Sequence, residues 1–208
     1  MNRTADARNV STMDKTTILL DAGGVLIDET QLEAFICGVT TELVQSEDSS
    51  YTSVDYWADT NEAVLRFCPS TPRYVLWKRC GRRAQRYAAL LSQYTATLNE
   101  GRPPLKLYEA MKDEIPALAG AFHLALAGQY GTNVYDLLER HELAGYFANR
   151  LSQQDFGITK PDPRYIAQIA QRSGAKAEEC IMIGDRIDND VIPAKQNNMG
   201  TLFVRTGI

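Results

Sequence analysis

The 208-residue sequence predicts an α/β fold: a doubly wound, Rossmann-like parallel sheet carrying an inserted helical domain. Three observations predict it. Short β-forming apolar runs alternate with helical segments of about ten residues, the rhythm of βαβ units. One long interior stretch breaks that rhythm with helical periodicity and no convincing strand. The acids, the glycines and one lysine of greatest chemical interest stand just after the apolar runs, where open α/β sheets bind ligands.

Taken in order, residues 1–14 are polar, lack a hydrophobic run and contain Asp6 and Asp14. They read as a disordered leader and not as a secretory signal, and Met13 is a candidate natural start. Thr16–Leu20 is a short buried strand closed by Asp21-Ala22-Gly23-Gly24. Residues 31–104 form the helical insert. Asn61–Phe67 and Gln85–Leu98 show three- and four-residue apolar spacing, with polar turns at Gln45–Ser50 and Cys68–Pro72 and a break at Asn99–Pro104. Residues 15–30 and 105–208 supply the core. Its later elements are a helix over Tyr108–Ile115, a strand over Phe122–Ala127 ending at Gly128, and a helix over Thr132–His141. They continue with a weak strand over Ala148–Ser152, a helix over Pro163–Ser173 and a strong strand over Cys180–Ile183. A helix over Asp190–Asn197 and a strand over Thr201–Arg205 complete the core.

Composition narrows the function. Lys and Arg total 22 against 26 Asp and Glu, a net charge of −4, which argues against a nucleic acid or an anionic membrane as partner. No run approaches the ~18 apolar residues of a membrane span. Ten tyrosines, six phenylalanines and two tryptophans suffice for a core and exclude a disordered chain. The four cysteines show no CxxC spacing, and only His123 and His141 could join them, so a zinc site is not expected. Scattered cysteines read as buried thiols of a cytoplasmic protein.

Four strand ends carry the chemistry. Asp21 can attack an electrophile if a cation holds its charge and the following glycines admit the substrate; an acid capping a turn is the bland alternative. Gly128-Gln129 could receive an anion on backbone N–H groups. Lys160, held in a rigid turn before Pro161 and Pro163, suits a phosphate or a carboxylate cluster, although a solvated lysine explains it equally. Asp185, Asp188 and Asp190 crowd the end of the strongest strand. Such acids repel one another without a cation, and all-oxygen ligands point to Mg²⁺; an acid-rich turn capping the helix at Asp190 is the bland alternative.

In this order the pieces resemble the haloacid dehalogenase superfamily of aspartate-nucleophile hydrolases, from about Thr16 to the C-terminus. Gly157–Pro163 and Gly184–Asp190 carry the likeness most specifically, and the insert is similar to that family's helical cap. The resemblance implies that Asp21 is the nucleophile, forming an aspartyl-phosphate in phosphatase members. It implies that the Gly23 carbonyl, Asp21 and Asp185 hold Mg²⁺, with Asp190 a further ligand or a partner behind them. Lys160 would steady the nucleophile and the transferred group, and Gly24, Gly128 and Gln129 would contact the phosphate. Two positions depart from the family pattern. Gly23 stands where phosphatases carry a general acid, a loss of ~10²–10⁴-fold in rate where one is needed, and Asp28 or Glu29 are candidate substitutes. Gly128 replaces a phosphate-binding Ser or Thr, and Val25 a usual threonine.

Within the insert, Arg73, Lys78, Arg79, Arg82, Arg83 and Arg86 concentrate positive charge. They fit either a surface that reads an anionic substrate or a solvated helix face. Trp57 and Trp77 read as packing. The sequence thus predicts a Mg²⁺-dependent hydrolase of a small phosphorylated metabolite, monomeric or homodimeric. A catalytically degenerate binder of a phosphorylated ligand or partner is the first rival reading. A metal-independent 2-haloacid dehalogenase is the second.

Overall fold

The computed structural model describes residues 16–128, 133–148 and 155–206. The expected leader, and all but the first residue of the expected Ala148–Ser152 strand, lie outside them. The elements run β1 (Thr17–Leu20), β2 (Ile27–Asp28), then four helices, α1 (Thr30–Gln45), α2 (Ser53–Leu65), α3 (Thr71–Arg79) and α4 (Ala84–Gly101). They continue with β3 (Lys106–Leu107), α5 (Met111–Ala121), β4 (His123–Leu126) and α6 (Asn133–Arg140). The chain closes with α7 (Pro163–Arg172), β5 (Cys180–Gly184), α8 (Ile192–Gln196) and β6 (Gly200–Phe203).

The main sheet has the order β4-β1-β5-β6, with every pairing parallel. Strand alternation sorts its apolar residues onto two faces. Ile18, Leu20, Leu124 and Leu126 pack with Ile115 of α5 and Leu137 and Leu138 of α6. Leu19, Ala125 and Met182 point the other way, onto Tyr165, Ile166 and Ile169 of α7 and Ala194 of α8. Both faces are therefore covered, as a parallel sheet requires. The register aligns Leu20 with Leu126 and Ile183, so Asp21, Ala127 and Gly184 emerge side by side at one edge.

Three elements differ from the sequence reading. The two-residue strands β2 and β3 pair antiparallel, Ile27 with Leu107 and Asp28 with Lys106, and clamp the two ends of the helical segment together. The Tyr108 N–H also donates to the Leu26 carbonyl (2.9 Å). That bond continues the β2–β3 pairing by one residue; α5 starts at Met111 and not at Tyr108, and extends to Ala121 while Ile115 and Leu118 pack on the core. The expected Asp190–Asn197 helix is replaced by a π-type turn over Ile187–Val191 followed by α8. The Asp190 and Val191 N–H groups both donate to the Arg186 carbonyl, and Asp190 Oδ2 accepts the Arg186 N–H (3.1 Å), which widens the first turn.

Helices α1 to α4 enclose an apolar cluster of their own, including Val44, Tyr51, Val75, Leu76, Cys80 and Leu90. Thr52 and Asp55 start α2 with a reciprocal capping box. At the centre of this unit lies Asp59, which is 2% exposed. It accepts hydrogen bonds from Lys78 (2.7 Å), from Arg79 (2.5 and 2.8 Å) and from the Tyr51 hydroxyl (3.1 Å). Lys78 also pairs with Glu62, and Arg83 and Arg86 face Glu47. Four of the six basic residues, for which a substrate-reading surface is one of two readings, thus face acids within the helical unit. No helix among the described residues is long and apolar enough to cross a membrane.

Burial pushes the Asp59 carboxyl up, but the hydrogen bonds from Arg79 and Lys78 outweigh it and leave the group below the ordinary carboxylate range. Stability from such a group is present above its unfolded-state pKa of about 3.9 and is lost as pH falls through the lower folded-state value. Asp59→Asn should therefore lower unfolding stability by about 2 kcal/mol or more at pH 7. Urea denaturation should show the gap between wild type and variant shrinking below about pH 4.

Candidate active site

The site assembles where the aligned strands end. The Asp21 N–H donates to the Ile183 carbonyl (2.9 Å), prolonging the β1–β5 pairing by one bond and aiming the side chain off the sheet edge. Its Oδ1 accepts the Ala22 N–H (2.8 Å) and the Lys160 ammonium (2.9 Å). Lys160 comes from the turn before α7, whose start is fixed by Pro163 and by Asp162 accepting the Arg164 N–H (3.0 Å). Although 2% exposed, its ammonium stays charged. Burial alone works against that charge, and Asp190 and Asp21 overcome it, holding the group above the usual lysine range.

Asp190 is wholly buried. One oxygen accepts from Lys160 (2.5 Å) and the other from the Arg186 N–H (3.1 Å). It therefore sits behind Lys160 as its fixed counter-charge. Two glycines make this crowding possible. A Cβ on Gly184 would overlap the Asp190 carboxylate, and one on Gly24, whose φ is +64°, would overlap that of Asp185. The Gly24 N–H donates to the Ile27 carbonyl (3.0 Å) and its carbonyl accepts from Thr206. Both backbone polar groups of Gly24, expected from the resemblance to contact a phosphate, are thus engaged within the protein.

A cavity of about 370 Å³ opens over these groups, bounded on the sheet side by Asp21, Gly23, Lys160 and Asp185. The far wall comes from the helical unit, with Glu33 of α1, Thr60 and Val64 of α2, and Thr71 at the start of α3. None of the six basic residues singled out in the insert lines it. Of the two acids named as substitutes for the one missing at position 23, Glu29 lines the cavity. Asp28 does not, its Oδ1 instead accepting the Thr30 N–H (3.0 Å). Gly128 stands at the end of β4, outside the lining, and its carbonyl accepts the Tyr165 hydroxyl (3.0 Å). Gln129 lies outside the described residues.

Glu33 and Arg186 escaped the sequence reading. Glu33 follows Glu29 by one helical turn, an i,i+4 spacing that was visible, but periodicity alone does not tell which face of α1 meets the core. Arg186 lines the cavity and is held by Asp188 in a two-pronged pair (3.1 and 2.6 Å). Burial pushes Glu33 up to about 7, with Glu29 and Asp185 adding to the shift and Arg186 opposing it.

Asp21, Asp185 and Asp190 each present a carboxylate oxygen within 4.8 Å of the others. Burial pushes Asp21 up to about 7; Lys160 opposes the shift and Asp190 adds to it. Asp185 is raised to about 6, again mainly by burial, then by Asp190 and Glu29. Asp21 and Asp185, crowded with a third acid in a buried, oxygen-only set, have the chemistry to take a small hard dication in place of protons. Asp21 and Asp185 would hold it, since both oxygens of Asp190 already accept protein hydrogen bonds.

The family model of haloacid dehalogenase-like hydrolases matches residues 15–198. A glyceraldehyde 3-phosphate phosphatase of Methanopyrus kandleri is 32% identical over 73 residues, which are 35% of this chain and 31% of that protein. The matched region thus spans about a third of the curated relative's length. Solved structures share the fold over most of the chain. A Haemophilus somnus protein predicted to be a phosphoglycolate phosphatase has a TM-score of 0.67 at 15% identity, covering 93% of this chain and 86% of its own. A 2-haloacid dehalogenase from Pseudomonas syringae has a TM-score of 0.55 at 20% identity, with coverages of 92% and 86%.

If the acidic group binds a dication, Mg²⁺ should raise the melting temperature, since ligand at 100 times its Kd stabilises the folded state by about 2.7 kcal/mol. Protons on Asp21 and Asp185 compete with the ion, so apparent affinity should fall as pH drops from 8 to 5. Asp185→Asn should abolish the shift in differential scanning fluorimetry.

Proposed function

The chain belongs to the haloacid dehalogenase-like hydrolases, and from that membership we propose a Mg²⁺-dependent phosphatase that acts on a small phosphorylated metabolite through Asp21. The observation that carries this reading is the Asp21 carboxylate, fixed by Lys160 at 2.9 Å at the floor of a cavity large enough for a small substrate. Among the described residues the hydrogen bonds to the Asp21 carboxylate fall on Oδ1, which favours Oδ2 as the attacking oxygen. It would form a bond to phosphorus as the bond from phosphorus to the ester oxygen breaks, giving an aspartyl-phosphate and an alkoxide that takes up a proton. Water would then attack phosphorus and return the free carboxylate and inorganic phosphate. Lys160 holds the nucleophile in place and offsets charge on the transferred group. Mg²⁺, held by Asp21 and Asp185 with the Gly23 carbonyl, would offset the remaining negative charge.

Residues 31–104 would act as a cap over the core formed by 15–30 and 105–208. The antiparallel pair β2–β3, where the chain enters and leaves the helical unit, would be the hinge, and closure would exclude water. The free cysteines, three of them buried, fit the cytoplasmic setting proposed for this enzyme. Gly23 has no side chain to protonate the leaving group, so departure rests largely on the leaving group's own acidity. Asp185 counts against the metal-independent dehalogenase reading, since without a cation it only adds negative charge beside Asp21. The intact Asp21–Lys160–Asp190 arrangement counts against a degenerate binder.

Purified protein should hydrolyse p-nitrophenyl phosphate with Mg²⁺ and lose that activity with chelator or with Asp21→Asn. Across a series of esters kcat should rise as the leaving group's pKa falls, more steeply than for an enzyme with a positioned acid. Halide release from a 2-haloacid in the presence of chelator would instead establish the dehalogenase.

A further inference from the structure

Resting on the phosphatase reading, we infer that the leaving-group side of the cavity accepts a phosphate monoester whose alcohol carries hydrogen-bond donors and no second anionic group, with Glu33 as the determinant. Beyond the reacting centre the lining includes three further carboxylates, Glu29, Glu33 and Asp188. Glu29 and Glu33 stand one turn apart at the start of α1, where the Glu33 N–H donates to the Glu29 carbonyl (2.8 Å). Against them the lining offers, among the described residues, the cations Lys160 and Arg186. The ammonium of Lys160 is shared between Asp21 and Asp190, and Arg186 is clamped by Asp188. The basic residues of the helical unit face Asp59, Glu62 and Glu47 or lie away from the lining.

An independent observation points the same way. Asn189 lines the cavity, is 7% exposed, and its Oδ1 is buried with no hydrogen-bond partner among the described residues. A buried acceptor of this kind costs free energy until a donor reaches it. A hydroxyl or an ammonium group supplies one, and a carboxylate does not. The groups facing Glu33 are Glu29, Asp185 and Arg186, and their balance raises its carboxyl to about 7, with burial the largest cause. A second negative charge on the substrate would enter a wall that already disfavours one.

This selectivity separates the substrates named for the similar proteins. Phosphoglycolate carries a carboxylate on its alcohol, whereas glyceraldehyde 3-phosphate carries a hydroxyl and an aldehyde. A carboxylate held near Glu33 in a partly desolvated cavity should lose about tenfold or more in kcat/KM.

The test measures kcat/KM with Mg²⁺ at about pH 8.5, where Glu33 is ionised, for phosphoglycolate, glycerol phosphate and ethanolamine phosphate, with p-nitrophenyl phosphate reporting the chemistry itself. Glycerol phosphate and ethanolamine phosphate should exceed phosphoglycolate by about tenfold or more, and Glu33→Gln should narrow that ratio several-fold. Equal or better use of phosphoglycolate, or a ratio unmoved by Glu33→Gln, overturns the inference while p-nitrophenyl phosphate turnover leaves the phosphatase reading standing. Should no ester turn over, the phosphatase reading itself fails. Melting shifts of the wild-type protein with Mg²⁺ and the same three esters then decide the charge preference, and greater stabilisation by phosphoglycolate overturns it.

Discussion

A single buried ammonium organises this molecule. Lys160 sits between Asp21 and Asp190 at 2.9 and 2.5 Å with almost no solvent contact. Neither a lone lysine nor a lone carboxylate is tolerable there, because an unpaired charge in a desolvated interior costs several kcal/mol. The three groups therefore stand or fall together, although Lys160 is 139 residues from Asp21 and 30 from Asp190. Satisfying them forces the end of β1, the turn before α7 and the turn after β5 to converge on one point.

The rest of the architecture serves that convergence. The parallel register brings the strand ends level, and apolar contacts on both faces of the sheet hold them there. Gly24 and Gly184 leave room for two carboxylates that any side chain would displace. The π-type turn lets Asp190 reach back to the Arg186 N–H while still facing Lys160. Across the cavity, the helical unit supplies a wall from α1, α2 and the start of α3 and is joined to the core through the paired strands β2 and β3. Its own charges are largely settled internally around Asp59, so what it presents to a ligand is acidic and polar. The protein's small net charge conceals this division between an acidic cavity and a neutralised helical unit.

Much of this was legible in the sequence, for local reasons. Asp21, Lys160 and Asp185 stand at ends of apolar runs or in a proline-fixed turn, and chain direction in a parallel sheet sends all such ends to one edge. The helical insert was legible because its apolar spacing persists for whole helices. Strands of two residues carry no period, so the β2–β3 pairing was not. The basic residues of α3 and its neighbourhood looked available because their partners, Asp59, Glu62 and Glu47, lie in other helices. Glu33 looked like any exposed helix acid because one helix gives no indication of what packs beside it. The sequence by itself determined the fold class and the charged groups that meet at the sheet edge, since periodicity and strand-end placement are properties of neighbouring residues. Tertiary structure alone decided which charges neutralise one another, which acids face the cavity and which glycines yield their space to carboxylates. Those outcomes depend on distances between segments far apart in the chain, and local pattern does not encode them.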